Sequence, residues 1–262
     1  MGTIKQGVHR GLGLLGIRIA QTGEGALGWV MSHSKLAGRV IGYPQKCIPE
    51  AHQTNLWMQK LNLRTVIDIG GHQGEFAKYI HAILPEAAII SFEPQPDCFV
   101  KLQEVGKTLP NHRCFNLAIG ETPGQTTMHQ SEFSPASSLL PPSEGMEQQM
   151  PFAARTKSVN VQVDTLDSIA ARLKIEDNLL VKMDVQGFET RVIKGGRSTI
   201  LRAKLVIVET SFQRIYQDQP LFGDVYQLLV NELGLRYCGS IDRQPSPVDG
   251  FPLQEDSIFL RD

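Results

Sequence analysis

Long apolar runs are missing from this 262-residue chain. No stretch reaches the roughly 20 residues that a membrane-spanning helix needs. The start also lacks the pattern of a secretory leader. Lys5 and Arg10 precede the segment Leu12 to Ile19, but Gly11, Gly13, Gly16 and Arg18 interrupt its apolar core. That segment reads as a short amphipathic helix packed on the domain rather than one lying on a membrane. Cysteine is scarce. Cys47, Cys98, Cys114 and Cys238 form no Cys-x-x-Cys pair and have no His at ligand spacing. This argues against a zinc framework and fits buried thiols in a reducing compartment, the cytoplasm. No charge of one sign dominates. With 26 basic and 27 acidic residues, neither a nucleic-acid partner nor a disordered acidic tail is expected. Neither a Gly-x-Ser-x-Gly elbow nor a His-Glu-x-x-His helix occurs, so hydrolase and zinc-protease chemistry have no support.

What is present is ordinary globular composition, 41% hydrophobic and 20% charged, which suits one large α/β domain with an extension. Residues 1–60 read as an N-terminal helical extension. Its last part, Asn55 to Leu63, reads as a helix over the front of a sheet. Alternation then begins: strands at 66–69, 88–92 and 114–119, with helices at 74–84 and 97–105 between them. This order predicts a doubly wound, mostly parallel sheet. The order breaks at 125–130, which alternates like an edge strand. Residues 131–157 hold several prolines and many polar residues, and read as a lid-like insertion. Residues 159–163 alternate again, and a helix begins at Thr165-Leu166-Asp167. The sheet resumes at 179–183 and 205–208, with helices at 188–193 and 224–233. Residues 236–239 and 256–260 should form an antiparallel pair at the far edge. Seven core strands result.

The most telling stretch is Thr65-Val66-Ile67-Asp68-Ile69-Gly70-Gly71-His72-Gln73-Gly74. It reads as a buried strand, a glycine turn and the start of a helix. Gly70, Gly71 and Gly74 let the backbone adopt positive φ and approach a ligand. Asp68 stands where the strand runs out, and open α/β sheets bind ligands at that edge. The pattern is Asp-x-Gly-x-x-x-Gly, not the Gly-x-Gly-x-x-Gly of dinucleotide folds. An acid two residues before the first glycine suits a ligand with a cationic amino-acid end, such as S-adenosylmethionine. His72, inside the turn, is a candidate base because its free pKa lies near neutrality.

Four core strands end in an acid: Asp68, Glu93, Asp184 and Glu209. In a parallel sheet these tips share one edge, so all four should face a common cleft. Glu93, 25 residues past Asp68, is placed to accept hydrogen bonds from a ribose diol. Lys182 projects from the same strand face as Asp184. A carboxylate, a lysine or a metal-bound alkoxide would each assist removal of a proton from an attacking hydroxyl. Asp184 and Glu209 on neighbouring tips would suit Mg²⁺, although no third ligand is evident from spacing.

Taken together, Val66-Ile67-Asp68-Ile69-Gly70, Phe92-Glu93-Pro94, Asn116-Leu117-Ala118-Ile119-Gly120, Ser137-Ser138-Leu139, Val163-Asp164-Thr165-Leu166-Asp167 and Lys182-Met183-Asp184-Val185-Gln186-Gly187-Phe188-Glu189 resemble the FkbM family of S-adenosylmethionine-dependent methyltransferases. The resemblance covers residues 55–260. It implies a Rossmann-like class I methyltransferase domain over 61–262, with O-methylation of a hydroxyl on a sugar or natural product. It implies cofactor binding by Asp68, Gly70 and Glu93, to which Gly71, Gly74 and Ala118 are added as candidates. Asp184, Lys182 and His72 are the catalytic candidates, and Asp184 with Glu209 the metal candidates. A small-molecule acceptor is the expected partner, and a homo-oligomer is compatible with this reading. Two rival classes stay open. One is an NAD-dependent oxidoreductase on the same fold, against which the missing Gly-x-Gly-x-x-Gly counts. The other is a non-catalytic cofactor-binding scaffold.

Overall fold

The computed structural model describes residues 17–21, 27–31 and 55–262, apart from Lys174. Strands β1 (Ile17–Gln21) and β2 (Leu27–Met31) form an antiparallel hairpin with Ile17 opposite Met31. At these residues the chain is extended where a helix was expected. Ile17-Arg18-Ile19 alternates with a period of two, which favours a strand over a helix. The rest of residues 1–54, Cys47 included, lies outside the described residues.

Residues 55–262 form a unit of their own. A 3₁₀ turn at Leu56–Leu61 leads into β3 (Thr65–Ile69), α1 (Glu75–Ile83), β4 (Ala88–Phe92), α2 (Pro96–Gly106) and β5 (His112–Phe115). After β6 (Ala118–Ile119), β7 (Gly124–Ser131), α3 (Glu144–Gln149), β8 (Thr156–Asp164) and α4 (Leu166–Arg172), the main sheet resumes with β9 (Leu179–Met183). Then come α5 (Glu189–Gly195), α6 (Arg197–Ile200), β10 (Ala203–Ser211), α7 (Phe222–Tyr226), a π-helical stretch at Gln227–Glu232, β11 (Arg236–Pro245) and β12 (Pro252–Leu260).

The seven-stranded sheet has the order β11-β12-β10-β9-β3-β4-β5. The pairs from β10 to β5 are parallel, and β12 runs antiparallel to both β10 and β11. Every residue of β3 and β9 is buried, as expected of central strands covered by helices on both faces. Alternation along them divides the core. Ile67, Ile69, Val181, Met183, Val206 and Val208 join one cluster; Val66, Leu180, Leu205 and Ile207 join another with Ala77 and Ile80 of α1.

The strand expected over 114–119 is two strands. Asn116 ends β5 by donating its Nδ2 to the Glu93 carbonyl at 2.8 Å and the Pro94 carbonyl at 3.1 Å. The chain then leaves the sheet, and β6 joins a separate three-stranded sheet in the order β6-β8-β7. Residues 131–157 fold as a cap. They contain α3 and two 3₁₀ turns, and Ala136, Leu140, Met146 and Ala153 share a small core with Ile215 and Tyr216. Among the described residues, no helix is long and apolar enough to cross a membrane.

Candidate active site

A cavity of about 750 Å³ opens at the carboxyl edge of the parallel strands, within the size range of small-molecule sites. The turn after β3, the tip of β4, the 117–119 segment, the cap, the turn after β9 and the β10–β12 edge all line it.

Backbone bonds fix the turn after β3. The Gly70 and Gly71 amides both donate to the Phe92 carbonyl at 2.9 Å. Gly70 sits at φ +82°, and a Cβ there would lie 1.8 Å from the Asp184 carbonyl oxygen, so only glycine fits. Gly71 and Ala118 line the cavity, whereas Gly74 does not. Gly74 instead serves helix packing: a Cβ on it would press on Val105 of α2 at 2.9 Å.

Glu93 lines the cavity and is 2% exposed. Its Oε2 accepts from the His72 amide at 2.8 Å and its Oε1 from the Gln95 amide at 2.7 Å. Each oxygen keeps a lone pair for a ligand hydroxyl. Burial raises its pKa to about 7 against the opposing pull of these two amides. The His72 ring bridges the turn to the cap: Nε2 lies 2.9 Å from Ser134 Oγ and Nδ1 3.3 Å from Glu75 Oε2. His72 is thus at the cavity wall, with both ring nitrogens engaged.

Asp68 departs from the expected common cleft. It is fully buried and absent from the cavity lining. The register explains this: Ser91, Asp68 and Lys182 are direct partners across β4, β3 and β9. They form a buried polar row, of which Lys182 reaches the cavity wall. Ser91 Oγ donates to Asp68 Oδ2 at 2.9 Å, and Lys182 Nζ lies 3.7 Å from Asp68 Oδ1. Lys182 also donates to the Gly70 carbonyl and Asp184 Oδ2, both at 3.3 Å, beneath the Phe76 ring. Burial works to neutralise this ammonium, but the attraction of Asp184, Asp68 and Asp256 together outweighs it and raises its pKa. These acids favour the charged form of Lys182. For Asp68, burial wins over Lys182 and the pKa is raised.

Asp184 follows β9 and lines the cavity about one-third exposed. Gln186, at φ +53°, turns its carboxamide between two acids. Nε2 donates to Asp184 Oδ1 at 2.7 Å and to Glu209 Oε2 at 2.8 Å. Gln254 Nε2 adds a second bond to Glu209 Oε2 at 2.8 Å. Burial, then repulsion from Asp184, Glu189 and Asp256, raises the Glu209 pKa well above the usual range. Asp256, the direct β12 partner of Glu209, also lines the cavity, and burial followed by Asp184 raises it to about 6. Glu189 is structural: it accepts from the Val185 and Gly187 amides and braces the loop.

Gln186 Nε2 lies between Asp184 and Glu209, the pair that the sequence offered for Mg²⁺. Among the described residues no three His, Cys, Asp or Glu side chains converge as metal ligands. Sequence reasoning missed Gln254 and Asp256, because β12 comes late in the chain and its insertion beside β10 leaves no local motif. It assigned Gln186 no structural part. The polar row was partly visible, since Asp68 and Lys182 are charges in otherwise apolar strands.

The sequence profile described as Methyltransferase FkbM domain matches residues 68–240, more than half of the chain. The curated 2-O-methyltransferase NoeI of Sinorhizobium fredii is 27% identical over 171 residues, covering 63% of this chain and 70% of NoeI. The solved methyltransferase FkbM of Methylobacillus flagellatus aligns with a TM-score of 0.48 at 16% identity, over 76% of this chain and 44% of that one. A TehB-like methyltransferase of Corynebacterium glutamicum aligns with a TM-score of 0.38 at 14% identity, over 88% and 99% respectively.

Proposed function

The chain belongs to the FkbM methyltransferase family, and from that premise we propose that it transfers the methyl group of S-adenosylmethionine to a hydroxyl oxygen of a small molecule, a sugar or natural product. Family membership sets aside the oxidoreductase reading and the inert scaffold. The observation that carries the proposal is the shared cavity. Glu93 and Asp184 follow strands on either side of β3. Two strand spacings, about 10 Å, separate such positions. A nucleoside with a short thioether arm spans that distance.

The residues fit the cofactor. Glu93 offers free lone pairs to two ribose hydroxyls, and Phe92, Leu117, Ala118 and Ile119 give the same region an apolar wall. Gly70 and Gly71 line the cavity, and their missing side chains make room for the Asp184 carbonyl and for Ser91 and Leu102. When bound, S-adenosylmethionine supplies an electrophilic sulfonium methyl. Asp184 would align the acceptor hydroxyl and take its proton as the oxygen–carbon bond forms and the sulfur–methyl bond breaks, leaving S-adenosylhomocysteine as a neutral thioether. Positioning supplies much of the rate, and the base adds roughly 10²–10⁴-fold. Lys182 holds Asp184 in place by its 3.3 Å contact. No step requires a metal, so turnover should survive chelation. The relative NoeI bears the name 2-O-methyltransferase, which agrees with an oxygen acceptor here. The three free cysteines among the described residues agree with a cytoplasmic setting.

Calorimetry with S-adenosylhomocysteine and with NADH tests the cofactor. Binding of the first and not the second is expected. Replacing Glu93 by Ala should cost on the order of 1.5–3 kcal/mol of that binding. Unchanged affinity would remove Glu93 from the site.

A further inference from the structure

One buried polar side chain stands outside the cavity already described. Gln130, near the end of β7, is 9% exposed, and among the described residues its carboxamide has no hydrogen-bond partner. Burying an amide without a partner costs stability, so such a group calls for an explanation. Gln130 lines a second cavity, of about 400 Å³, between α2 and the base of the cap.

Strand register sets what surrounds it. Gln130 is the direct partner of Lys157 across β7 and β8, so the two side chains share a face. The Glu132 amide donates to the Arg155 carbonyl at 3.1 Å, which carries the pairing one step further and brings Glu132 and Arg155 to that face. From the other side comes α2, where Lys101 stands one turn after Asp97. All of these residues line the cavity. Among the described residues, none of the three cations or two acids is in a salt bridge. Cations are therefore in excess and unspent. The first turn of α2 adds to them, because its N-cap residue Gln95 makes no side-chain capping bond and Asp97 is the one acid there.

We propose that this second cavity binds a phosphate group, with Lys101, Arg155 and Lys157 as its cationic arms and the Gln130 amide as a buried donor. The planar fork of an arginine matches a tetrahedral oxyanion, and the further phosphate oxygens serve the lysines and the amide. Asp97 and Glu132 oppose the anion, but they are outnumbered. Ser134 lines both cavities, and its Oγ lies 2.9 Å from His72 Nε2. The phosphate therefore has two sources, a free ion or a group carried by an acceptor that reaches from one cavity to the other. The site rests on its own residues and not on the methyl-transfer reading.

Calorimetry and thermal melting of the full-length chain with inorganic phosphate, at fixed ionic strength, test the site. One phosphate should bind per chain and raise the melting temperature. Arg155→Ala and Lys157→Ala should each weaken binding about tenfold, the loss of one charge-assisted bond. Gln130→Leu removes the unpaired amide and keeps its bulk. It should weaken phosphate severalfold, yet melt at or above the parent temperature in phosphate-free buffer. Lys78→Ala, outside the cavity, should bind as the parent does. Glucose 6-phosphate is the second probe: binding about tenfold tighter than inorganic phosphate would assign the phosphate to the acceptor, and equal or weaker binding would assign it to a free ion. No phosphate binding by the parent would overturn the proposal. So would equal binding in the parent, Arg155→Ala and Gln130→Leu, or an equal loss in Lys78→Ala, since either reduces the effect to general attraction by surface cations. A Gln130→Leu variant that melts below the parent without phosphate would make Gln130 a structural residue and remove it from the site. S-adenosylhomocysteine binding is measured separately, so failure here leaves the transfer reading standing.

Discussion

The two halves of the cavity are built by different means. The half around Gly70, Gly71, His72 and Glu93 comes from one βαβ unit. Its bonds tie the turn after β3 to the tip of β4 about 20 residues on, with one from Gln95 to Glu93 inside that tip, and backbone amides supply most of them. The half around Asp184, Gln186, Glu209, Gln254 and Asp256 is drawn from β9, β10, β12 and the cap, and side chains make nearly all of its bonds. A backbone-built half tolerates side-chain change everywhere except where the backbone itself needs room. A side-chain-built half can lose function through one substitution while the fold stands.

The strongest break in that comparison is Asp184→Asn. We expect transfer to fall roughly 10²–10⁴-fold with S-adenosylhomocysteine affinity retained. The measurement is methylated product by mass spectrometry over a panel of hydroxylated glycosides. Transfer at the parent rate would leave Asp184 only a partner of Lys182.

Next in size is Lys182→Met, which strikes the row beneath both halves. It strips Asp68 of its ammonium partner in a fully buried site. Breaking a buried pair this way costs about 3–5 kcal/mol. Urea unfolding should report it, and adding Asp68→Asn should recover part of the loss. A loss under about 1 kcal/mol would show that Asp68 is already neutral in the folded protein.

A pH test sharpens the first half. Burial raises Glu93 to about 7 in the folded protein from an ordinary 4.5. Between these values the folded state holds more protons than the unfolded one, so this group's contribution to stability falls as pH rises from 4.5 to 7. The full effect is on the order of 3 kcal/mol. Glu93→Gln should flatten the stability profile of the ligand-free protein over that window. Cofactor affinity should run the other way, rising toward pH 7 as the carboxylate forms to accept ribose hydroxyls.

The smallest expected effect concerns the cap. Hydrogen exchange across 131–157 should slow when S-adenosylhomocysteine and an acceptor are both bound, since Phe133 to Leu139 line the cavity. Equal protection with and without ligands would make the cap a fixed wall.

Much of this molecule was legible from periodicity and punctuation. The seven core strands, the antiparallel far edge and the glycine turn all follow from local pattern, because alternation and glycine spacing act over a few residues. Glu93 at a strand tip followed the same way. The N-terminal helix did not, because a short period-two segment flanked by glycines outweighed its loose amphipathic look. The acid at position 68 stood out as a charge in an apolar strand, yet its burial depended on strand register, which aligns Ser91, Asp68 and Lys182 across three strands. Gln186 stands between Asp184 and Glu209, and its contact with Tyr216, 30 residues away, follows from no local pattern. The sequence by itself determined the class of fold and the sheet edge at which the cavity opens. Only the tertiary structure decided which acids face the cavity, which are sealed beneath it and what holds them apart. Side-chain exposure and proton affinity depend on the neighbours that folding brings from distant strands.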